Sequence, residues 1–526
     1  MRIQVREKRV KLFKTPALVS GLMYRKEESA PTAPENFELP FGGSLAIENR
    51  WVMMASLVPW SEYEEEYAQN FAPEAGAPAK SFRMAFGALI IKEKLGLSDR
   101  ETVEQIRENP YLQYFLGCKS YSYEAPFDPS LFVYFRERIT VDLVKSVNEG
   151  MVEKLRESTS SDSENPKLAG EIQLGKNRGK LILDATCAPG DISYPTDLKL
   201  LNQGREQTEK IIDILYEPLK YQISPKPRTY RQVARKDYLF VAKQRRPLKK
   251  VKRKGIRKQL QYLKRNLSHI DTLLELGASL TWLKKSQYKM LLVVAEVYRQ
   301  QLWLYQNNKQ SIENRIVSLT QPHLRPIVRG KAGKSVEFGA KLSVSCFEGY
   351  VFLDRIRWDN FNESKDFKAQ VEHYYPITGY YPESVHVDKI YRTRENRAFC
   401  KERGIRISGP PLGRPPAQVS SEKKNLAKDD EKFRSTIEGK FGISKRRYGL
   451  GRVMAKLAST SQTAIAITFF VMNLSHGLQR LLRVFLCLFL RNLTFGERKI
   501  ISNYPYTLKN HSNLSLSELN NSSILL

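Results

Sequence analysis

The order of short apolar runs and helical patterns after residue 180 is the feature that most limits how this chain can fold. Five apolar or alternating runs have the length of strands: 180–184, 336–345, 350–358, 384–388 and 405–408. Helical patterns at 364–374 and 394–403 lie between the later runs, and Glu348-Gly349 marks a hairpin turn. Because helices between strands pack on the faces of a sheet, we predict an α/β core with a mixed sheet.

A strongly basic segment interrupts this core between its first two strands. From Lys226 to Arg265 the chain has 17 Lys or Arg residues and one acidic residue, Asp237. The later part of the segment has the apolar spacing of buried helices, so we expect residues 201–324 to form a mostly helical basic insertion.

Tyrosines are interleaved with these cations, at Tyr221, Tyr230, Tyr238 and Tyr262. This mixture favours contact with a DNA backbone. The residues that we select as DNA-binding are Lys249, Lys250, Lys252, Arg253 and Lys254. A solvated charged surface and a surface for contacts between two copies of the chain are the alternatives.

Basic residues also outnumber acidic residues over the whole chain. Among 526 residues, 86 Lys and Arg oppose 56 Asp and Glu, which gives a formal net charge of +30. Such an excess favours a polyanionic partner through counterion release and electrostatic steering, so we expect double-stranded DNA.

Other features bear on the compartment. The five cysteines form no Cys-x2-Cys pair, which disfavours a zinc site or a disulfide framework. The N-terminus lacks a signal-peptide pattern, and the apolar stretch at 464–474 is too short to cross a bilayer. We expect a cytoplasmic, nucleoid-associated protein without a membrane segment.

Helical patterns also fill residues 80–156. One begins at Ser81, Ser98 and Glu101 form a capping box for the next, and a further pattern runs from 129 to 154. Compact short helices of this kind occur in helix-turn-helix DNA-binding domains and in ordinary helical bundles. The remaining segments are predicted to be an extension and linker (1–79), a Ser-rich linker (157–179), and a C-terminal helix with a polar tail (461–526).

Three acidic residues have the surroundings of metal ligands. Asp184 follows Leu-Ile-Leu, Asp388 follows Val-His-Val, and Glu438 lies on a polar helix between Arg434 and Lys445. Carboxylate oxygens are hard ligands for Mg²⁺, and two ions about 3.5–4 Å apart can stabilise the attacking and leaving oxygens of phosphoryl transfer. The ordinary alternatives are a turn or helix cap for each aspartate, and an i, i+4 ion pair with Arg434 for Glu438.

Further residues compete for these roles. Asp191 and Asp197 do not end an apolar strand, so we assign them to loops or helix caps. Asp354 lies within the predicted hairpin, and Asp359 begins a polar loop. His386 has the chemistry of a base or ligand, but two-metal sites need no histidine, and we expect it to be packed.

These blocks together resemble the DDE transposases of bacterial insertion sequences, over most of residues 80–475. They read Leu-Ile-Leu-Asp-Ala-Thr-Cys-Ala-Pro-Gly-Asp from Leu181, Val-His-Val-Asp-Lys-x-Tyr-x4-Asn from Val385, and Arg-x3-Glu-x6-Lys from Arg434. The family usually has Gly where Ile390 stands and Tyr where Glu431 stands. The stretch that contains Ser98, Asn109-Pro110-Tyr111 and Phe115-Leu116-Gly117 is similar to the N-terminal domain of these transposases.

The resemblance implies an RNase H-like catalytic core at 180–200 and 325–460, preceded by a helical DNA-binding domain. It also implies that Asp184, Asp388 and Glu438 hold two Mg²⁺ or Mn²⁺ ions. Arg434 and Lys445 would contact phosphate near the scissile bond.

The implied activity is cut-and-paste transposition by a homo-oligomer, a dimer in the synaptic complex. It comprises binding of terminal inverted repeats, metal-dependent DNA cleavage and strand transfer. The alternatives are a metal-dependent DNA endonuclease on the same scaffold without strand transfer, and a non-catalytic DNA-binding derivative.

Overall fold

The computed structural model describes residues 32–40, 42–71, 78–161, 177–328, 336–410 and 420–501. Most of the predicted linkers at 72–79 and 157–179 and the predicted polar tail after 501 lie outside these ranges. The chain divides after His476 into two compact units. In the second unit the structure describes only the continuation of one long helix, and all other elements belong to the first.

Within the described residues, seven α-helices precede the sheet. They are α1 (Arg50–Leu57), α2 (Glu64–Ala68), α3 (Phe82–Leu95), α4 (Asp99–Glu108), α5 (Pro110–Phe115), α6 (Leu131–Arg138) and α7 (Val141–Ser161). The helices predicted from Ser81 and Ser98 are confirmed, and Ser98 Oγ caps α4 by accepting from Glu101 N at 3.1 Å. The single helix predicted from 129 to 154 was wrong, because the chain breaks at Ile139 and restarts where Thr140 Oγ1 accepts from Leu143 N.

Aromatic side chains hold these helices together. The Trp60 ring meets the rings of Phe86 and Phe115 edge to face, at centroid distances of 6.4 and 5.4 Å. The Trp51 ring also packs on Phe115, at 5.2 Å. The buried Arg83 donates to the backbone carbonyls at the end of α5. The segment before residue 80, expected to be an extension, thus supplies two tryptophans to this helical core.

Six strands form one mixed sheet, as predicted for an α/β core. They are β1 (Lys180–Pro189), β2 (Arg325–Val328), β3 (Val336–Phe347), β4 (Tyr350–Arg357), β5 (Ser384–Val387) and β6 (Arg406–Ile407). β3 pairs antiparallel with β1, β2 and β4, whereas β1–β5 and β5–β6 are parallel. The hairpin at Glu348-Gly349 is confirmed, and β2 is an addition that the sequence did not indicate.

The first strand is longer than the sequence suggested. The prediction ended it at Asp184, but β1 continues to Pro189 because its antiparallel ladder with β3 extends as far as the Pro189–Gly339 pair. The parallel pairing with β5 ends earlier, at Leu183 opposite Val387. Asp184 therefore lies just after the end of the parallel β1–β5 ladder and within the antiparallel β1–β3 ladder.

Two helices of the core cover opposite faces of the sheet. α12 (Phe367–Thr378) packs its Tyr374 ring on Phe347 of β3, at 4.9 Å. After α13 (Arg394–Glu402) and β6, α14 (Ser421–Arg447) packs its Phe433 ring on His386 of β5, at 4.8 Å. Pairing registers place Phe347 and His386 on different faces, because paired residues share a face and alternate residues lie on opposite ones. The last helix is α15 (Ala458–Ile501).

Between β1 and β2 the chain forms the predicted helical insertion. Its helices are α8 (Asp197–Tyr216), α9 (Arg231–Ala242), α10 (Lys249–Glu275) and α11 (Lys285–Gln306), numbered before α12 in chain order. Their apolar faces meet in two buried clusters, one around Leu201 and Leu263 and one around Ile212 and Leu273. No helix in the described part of the chain is both long and apolar enough to span a membrane.

The stem of the insertion is joined to the segment that follows α14. Val453 N donates to the Pro189 carbonyl at 2.8 Å, and Asp191 N donates to the Val453 carbonyl at 3.0 Å. Arg452 adds an ion pair with Asp191 at 2.7 Å. Residues 189–191 and 452–453 are therefore held together where the insertion leaves the sheet.

We expect Gly339→Ala to destabilise the protein. A Cβ atom at this position would lie 2.0 Å from the Ala188 carbonyl oxygen, so β1 and β3 would have to separate. Overpacking of this kind costs about 1–3 kcal/mol, and the midpoint of thermal unfolding should fall. The control is Gly439→Ala on α14, where a Cβ meets nothing within 4 Å. Equal midpoints for the two variants would contradict the close packing of the two strands.

Candidate active site

The register between β1 and β5 brings two of the predicted acids together. Leu183 pairs with Val387, so Asp184 and Asp388 are the next residues on neighbouring parallel strands. Neighbouring strands lie about 4.8 Å apart, and residues at the same register present their side chains to the same face. That face carries Ile182 and His386, and it is the one on which α14 packs.

The third acid reaches the same place from α14. A cavity of about 590 Å³ is lined by Asp184, Asp388 and Glu438, together with Arg434 and Lys445. On one long helix, positions 434, 438, 441, 442 and 445 recur at three- to four-residue spacing, which directs them to one side. The structure thus gathers at one cavity all five residues that the sequence analysis selected for catalysis.

Electrostatics show that these acids act on one another. Burial raises the pKa of the Asp184 carboxyl to about 6, and the negative charges of Glu438 and Asp388 add to the effect. A hydrogen bond from Ala185 N, at 2.7 Å, and the positive charge of Arg434 oppose it. Further positive charge in the cavity would favour the charged form of this carboxyl and lower its pKa.

Arg434 is a cation beside Glu438, and its charge also acts on Asp184. Its guanidinium donates to Glu431 at 2.7 Å, and its Nη1 lies 3.6 Å from Glu438 Oε1. The ordinary i, i+4 ion pair is therefore present, and it lies at the cavity wall. Glu431, which stands where the resembling transposases have Tyr, here fixes the arginine and raises its pKa further.

The competing acids all have other partners. Asp191 pairs with Arg452, and Asp197 starts α8 and pairs with Arg315. Asp354 accepts hydrogen bonds from Ser345 and Gln370 on the far side of the sheet, and Asp359 lies 3.8 Å from Arg325. None of these four aspartates lines the cavity of Asp184.

His386 is packed rather than exposed to the cavity. Its imidazole is 1% exposed, its Nε2 lies 3.0 Å from Ser384 Oγ, and its Nδ1 lies 3.3 Å from Asp430. Burial lowers the pKa of this histidine, which keeps it neutral near pH 7. It supports the strand that leads to Asp388.

The donor set fits hard divalent cations, since three carboxylates face one cavity. Within the described residues, however, no three Asp, Glu, His or Cys side chains already converge on a point where a metal ion would sit. Asp184, Asp388 and Glu438 are the residues that would hold such ions.

The basic residues selected in the insertion lie at the start of α10. The side chains of Lys249, Lys250, Lys252, Arg253 and Lys254 are all exposed. Arg253 also stacks on Tyr305 at 4.2 Å.

Among the four tyrosines selected for DNA contact, Tyr230 and Tyr262 are in contact with side chains of the insertion itself. Tyr262 donates to Asp237, and Arg265 covers the ring of Tyr230 at 4.6 Å. Tyr221 is 91% exposed, and Phe240, near the end of α9, is 69% exposed. The sequence analysis did not single out Phe240, because its exposure depends on how α9 packs.

Two further charged residues of the cavity were also missed. Lys341 of β3 and Glu363, in a short turn before α12, line it together with the three acids. Lys341 sits within an alternating strand and Glu363 in a polar loop, so neither carries a local pattern that would distinguish it.

We expect Asp184→Asn to stabilise the metal-free protein at pH 8. A folded-state pKa of about 6 against an ordinary value of 3.8 means that the folded protein holds this proton more tightly than the unfolded chain. The charged Asp184 therefore lowers the free energy of unfolding of the wild type by roughly 3 kcal/mol well above pH 6. This destabilisation disappears as the pH falls towards 4.

The test compares the unfolding midpoints of the variant and the wild type in EDTA at pH 8 and pH 5. The gain in stability of the variant should be about half as large at pH 5 as at pH 8. An advantage that is absent at pH 8, or that grows at pH 5, would contradict the burial of a charged Asp184.

Comparisons with known proteins agree with this geometry. Residues 385–475 match a family described as a transposase DDE domain, a range that includes Asp388, Arg434, Glu438 and Lys445. Residues 44–138 match a family described as a transposase domain, DUF772.

A protein of Rhizobium meliloti, described as the uncharacterized protein ORF8 in the nfe locus, is 31% identical over 153 residues. The matched stretch covers 28% of this chain and 66% of that protein. No solved structure matches. A match to a transposase DDE domain over the second and third carboxylates, with a match to a transposase domain before the sheet, supports a relationship to the insertion-sequence DDE transposases.

Proposed function

We propose that this protein cuts DNA at the terminal inverted repeats of its own element and joins the freed ends to target DNA. The single observation that carries the proposal is the cavity where Asp184, Asp388 and Glu438 meet Arg434 and Lys445. We further propose that the catalytic core is RNase H-like. The support is a sheet in which β1 pairs antiparallel with β3 and parallel with β5, with the third acid on a helix packed over both parallel strands.

Each group of the cavity has a role that its chemistry suits. Asp184, Asp388 and Glu438 would hold two Mg²⁺ or Mn²⁺ ions, which when bound stabilise charge on the attacking and leaving oxygens. Asp184 must be deprotonated to serve as a ligand, and in the metal-free site burial raises the pKa of this carboxyl to about 6. Arg434 and Lys445 supply charge-assisted hydrogen bonds to phosphate oxygens.

DNA binding is divided between two regions in this proposal. The short helices α3–α6 provide recognition helices of a size that enters a major groove. The start of α10 offers five exposed cations, and flexible cationic stems contact phosphate with little information about sequence. Two copies of the chain would hold the two ends of the element together in a synaptic dimer.

The variants Asp184→Asn, Asp388→Asn and Glu438→Gln should each reduce cleavage at least about 100-fold, because each removes a metal-binding charge and little volume. Binding to the ends should be retained. The assay uses a DNA fragment that carries both ends of the element, with Mg²⁺ or with EDTA.

The control variant Asp359→Asn removes a carboxylate outside the cavity and should cleave normally. Near-normal cleavage by any one of the three acid variants would remove that residue from the site. Robust cleavage in EDTA would overturn metal-dependent chemistry, and cleaved ends without joined products would identify an endonuclease.

The basic turn is tested by replacing Lys249, Lys250, Lys252, Arg253 and Lys254 together with Gln. Binding to terminal-repeat and random duplex should weaken by similar factors, with a shallower dependence on salt. Competition gel shifts measure both.

A matched control replaces five other exposed cations of the insertion, Lys284, Lys285, Lys289, Arg299 and Lys309, and should weaken binding less. Selective loss of terminal-repeat binding in the first variant would instead place sequence recognition in the insertion.

A further inference from the structure

The cavity has a second charged wall that the proposed function does not use. Lys341 and Glu363 line it, and their side chains are 16% and 15% exposed. Lys341 Nζ donates to the Phe361 carbonyl at 2.6 Å and forms an ion pair with Glu363. The ammonium group is therefore fixed from two directions at the edge of the space in front of the three acids.

This wall faces the cavity from the other side of the sheet. Lys341 pairs with Cys187 in the β1–β3 ladder, and Cys187 is an odd number of residues from Asp184, so the two side chains leave opposite faces. Both faces of β1 border the cavity past the end of β5. Arg434 and Lys445 consequently approach from the face of α14, and Lys341 approaches from the opposite face.

The buried phenol of Tyr391 is affected by charges on both walls. Its side chain is fully buried, and burial raises the pKa of its hydroxyl well above the ordinary value. The negative charges of Glu363 and Asp184 raise the pKa further, so both carboxylates act on the same hydroxyl. Glu363 therefore belongs to the same electrostatic environment as the first of the three acids.

Stability alone does not account for a half-buried ion pair at this position. Replacement of such pairs by packed apolar residues is often neutral or stabilising, because removing two charges from water is costly. A lysine ammonium has three N–H donors. One donates to the Phe361 carbonyl and Glu363 is the counter-ion, so a donor remains for an anion in the cavity.

We propose that Lys341 contacts a backbone phosphate of the DNA strand in the cavity, on the face of β1 opposite Arg434 and Lys445. Glu363 is a positioning residue that holds the ammonium at the wall. The inference rests on the proposed function. Phosphates on both sides of the scissile bond would then be contacted from opposite faces of β1. These contacts would fix the path of the DNA across the three acids.

The test compares Lys341→Met, Lys341→Arg and Lys365→Met in cleavage and in DNA binding in EDTA. Lys341→Met should lower cleavage about tenfold or more, and should reduce the slope of log affinity against log salt by about one, the value for one lost phosphate contact. Lys341→Arg should restore both. Lys365 is exposed, lies two residues from Glu363 and does not line the cavity, so its variant should match the wild type.

A structural role predicts a different pattern. If the pair only supports the fold, Lys341→Met would leave the salt slope unchanged, and the double variant Lys341→Met/Glu363→Met would recover cleavage because no unpaired carboxylate remains. Either result overturns the assignment. Absence of cleavage by the wild type in Mg²⁺ would overturn the proposed function itself, whereas wild-type behaviour of Lys341→Met in an active protein overturns only this inference.

Discussion

The parallel pairing of β1 with β5 is the contact on which the rest of the site depends. Four residue pairs, ending with Leu183 opposite Val387, set the positions of Asp184 and Asp388. A slip of one residue would turn the side chains of one strand to the other face of the sheet. Buried Leu181, Leu183, Val385 and Val387 oppose such a slip, since each would lose the packing contacts that it makes on its own face of the sheet. The apolar core thereby specifies where two carboxylates meet.

Bringing the acids together opposes stability, and the surrounding residues limit the penalty. Asp184 is partly buried among like charges, which raises its pKa, while Arg434 supplies a compensating positive charge. Glu431 and Glu438 both pair with that arginine, so its guanidinium is held in one orientation at the cavity. Functional sites commonly retain such unfavourable electrostatics because binding of the substrate or ions relieves it.

Local patterns in the sequence predicted much of the sheet and the contexts of the three acids. Strands are short and apolar, and the hairpin at Glu348-Gly349 has a turn signature, so β3, β4 and β5 were found within a few residues. Long-range partners decided the rest. β1 continues past Asp184 because β3 pairs with it, and β2 is only four residues long. Lys341 and Glu363 form an ion pair across a loop, and no residue spacing in the sequence predicts this pair. Whether the five selected residues act as proposed stays a prediction.

The stem of the insertion has a mechanical consequence. Pro189 and Asp191 are bonded to Arg452 and Val453, which follow closely after Lys445 on the same segment of chain. A force on the basic helices, for example from a bound duplex, would therefore be transmitted through these contacts to the segment that follows α14. Movement of the insertion about its stem would therefore either break two backbone hydrogen bonds and an ion pair or shift the segment that follows Lys445. The position of the insertion and the position of the end of α14 are thus coupled through only a few residues.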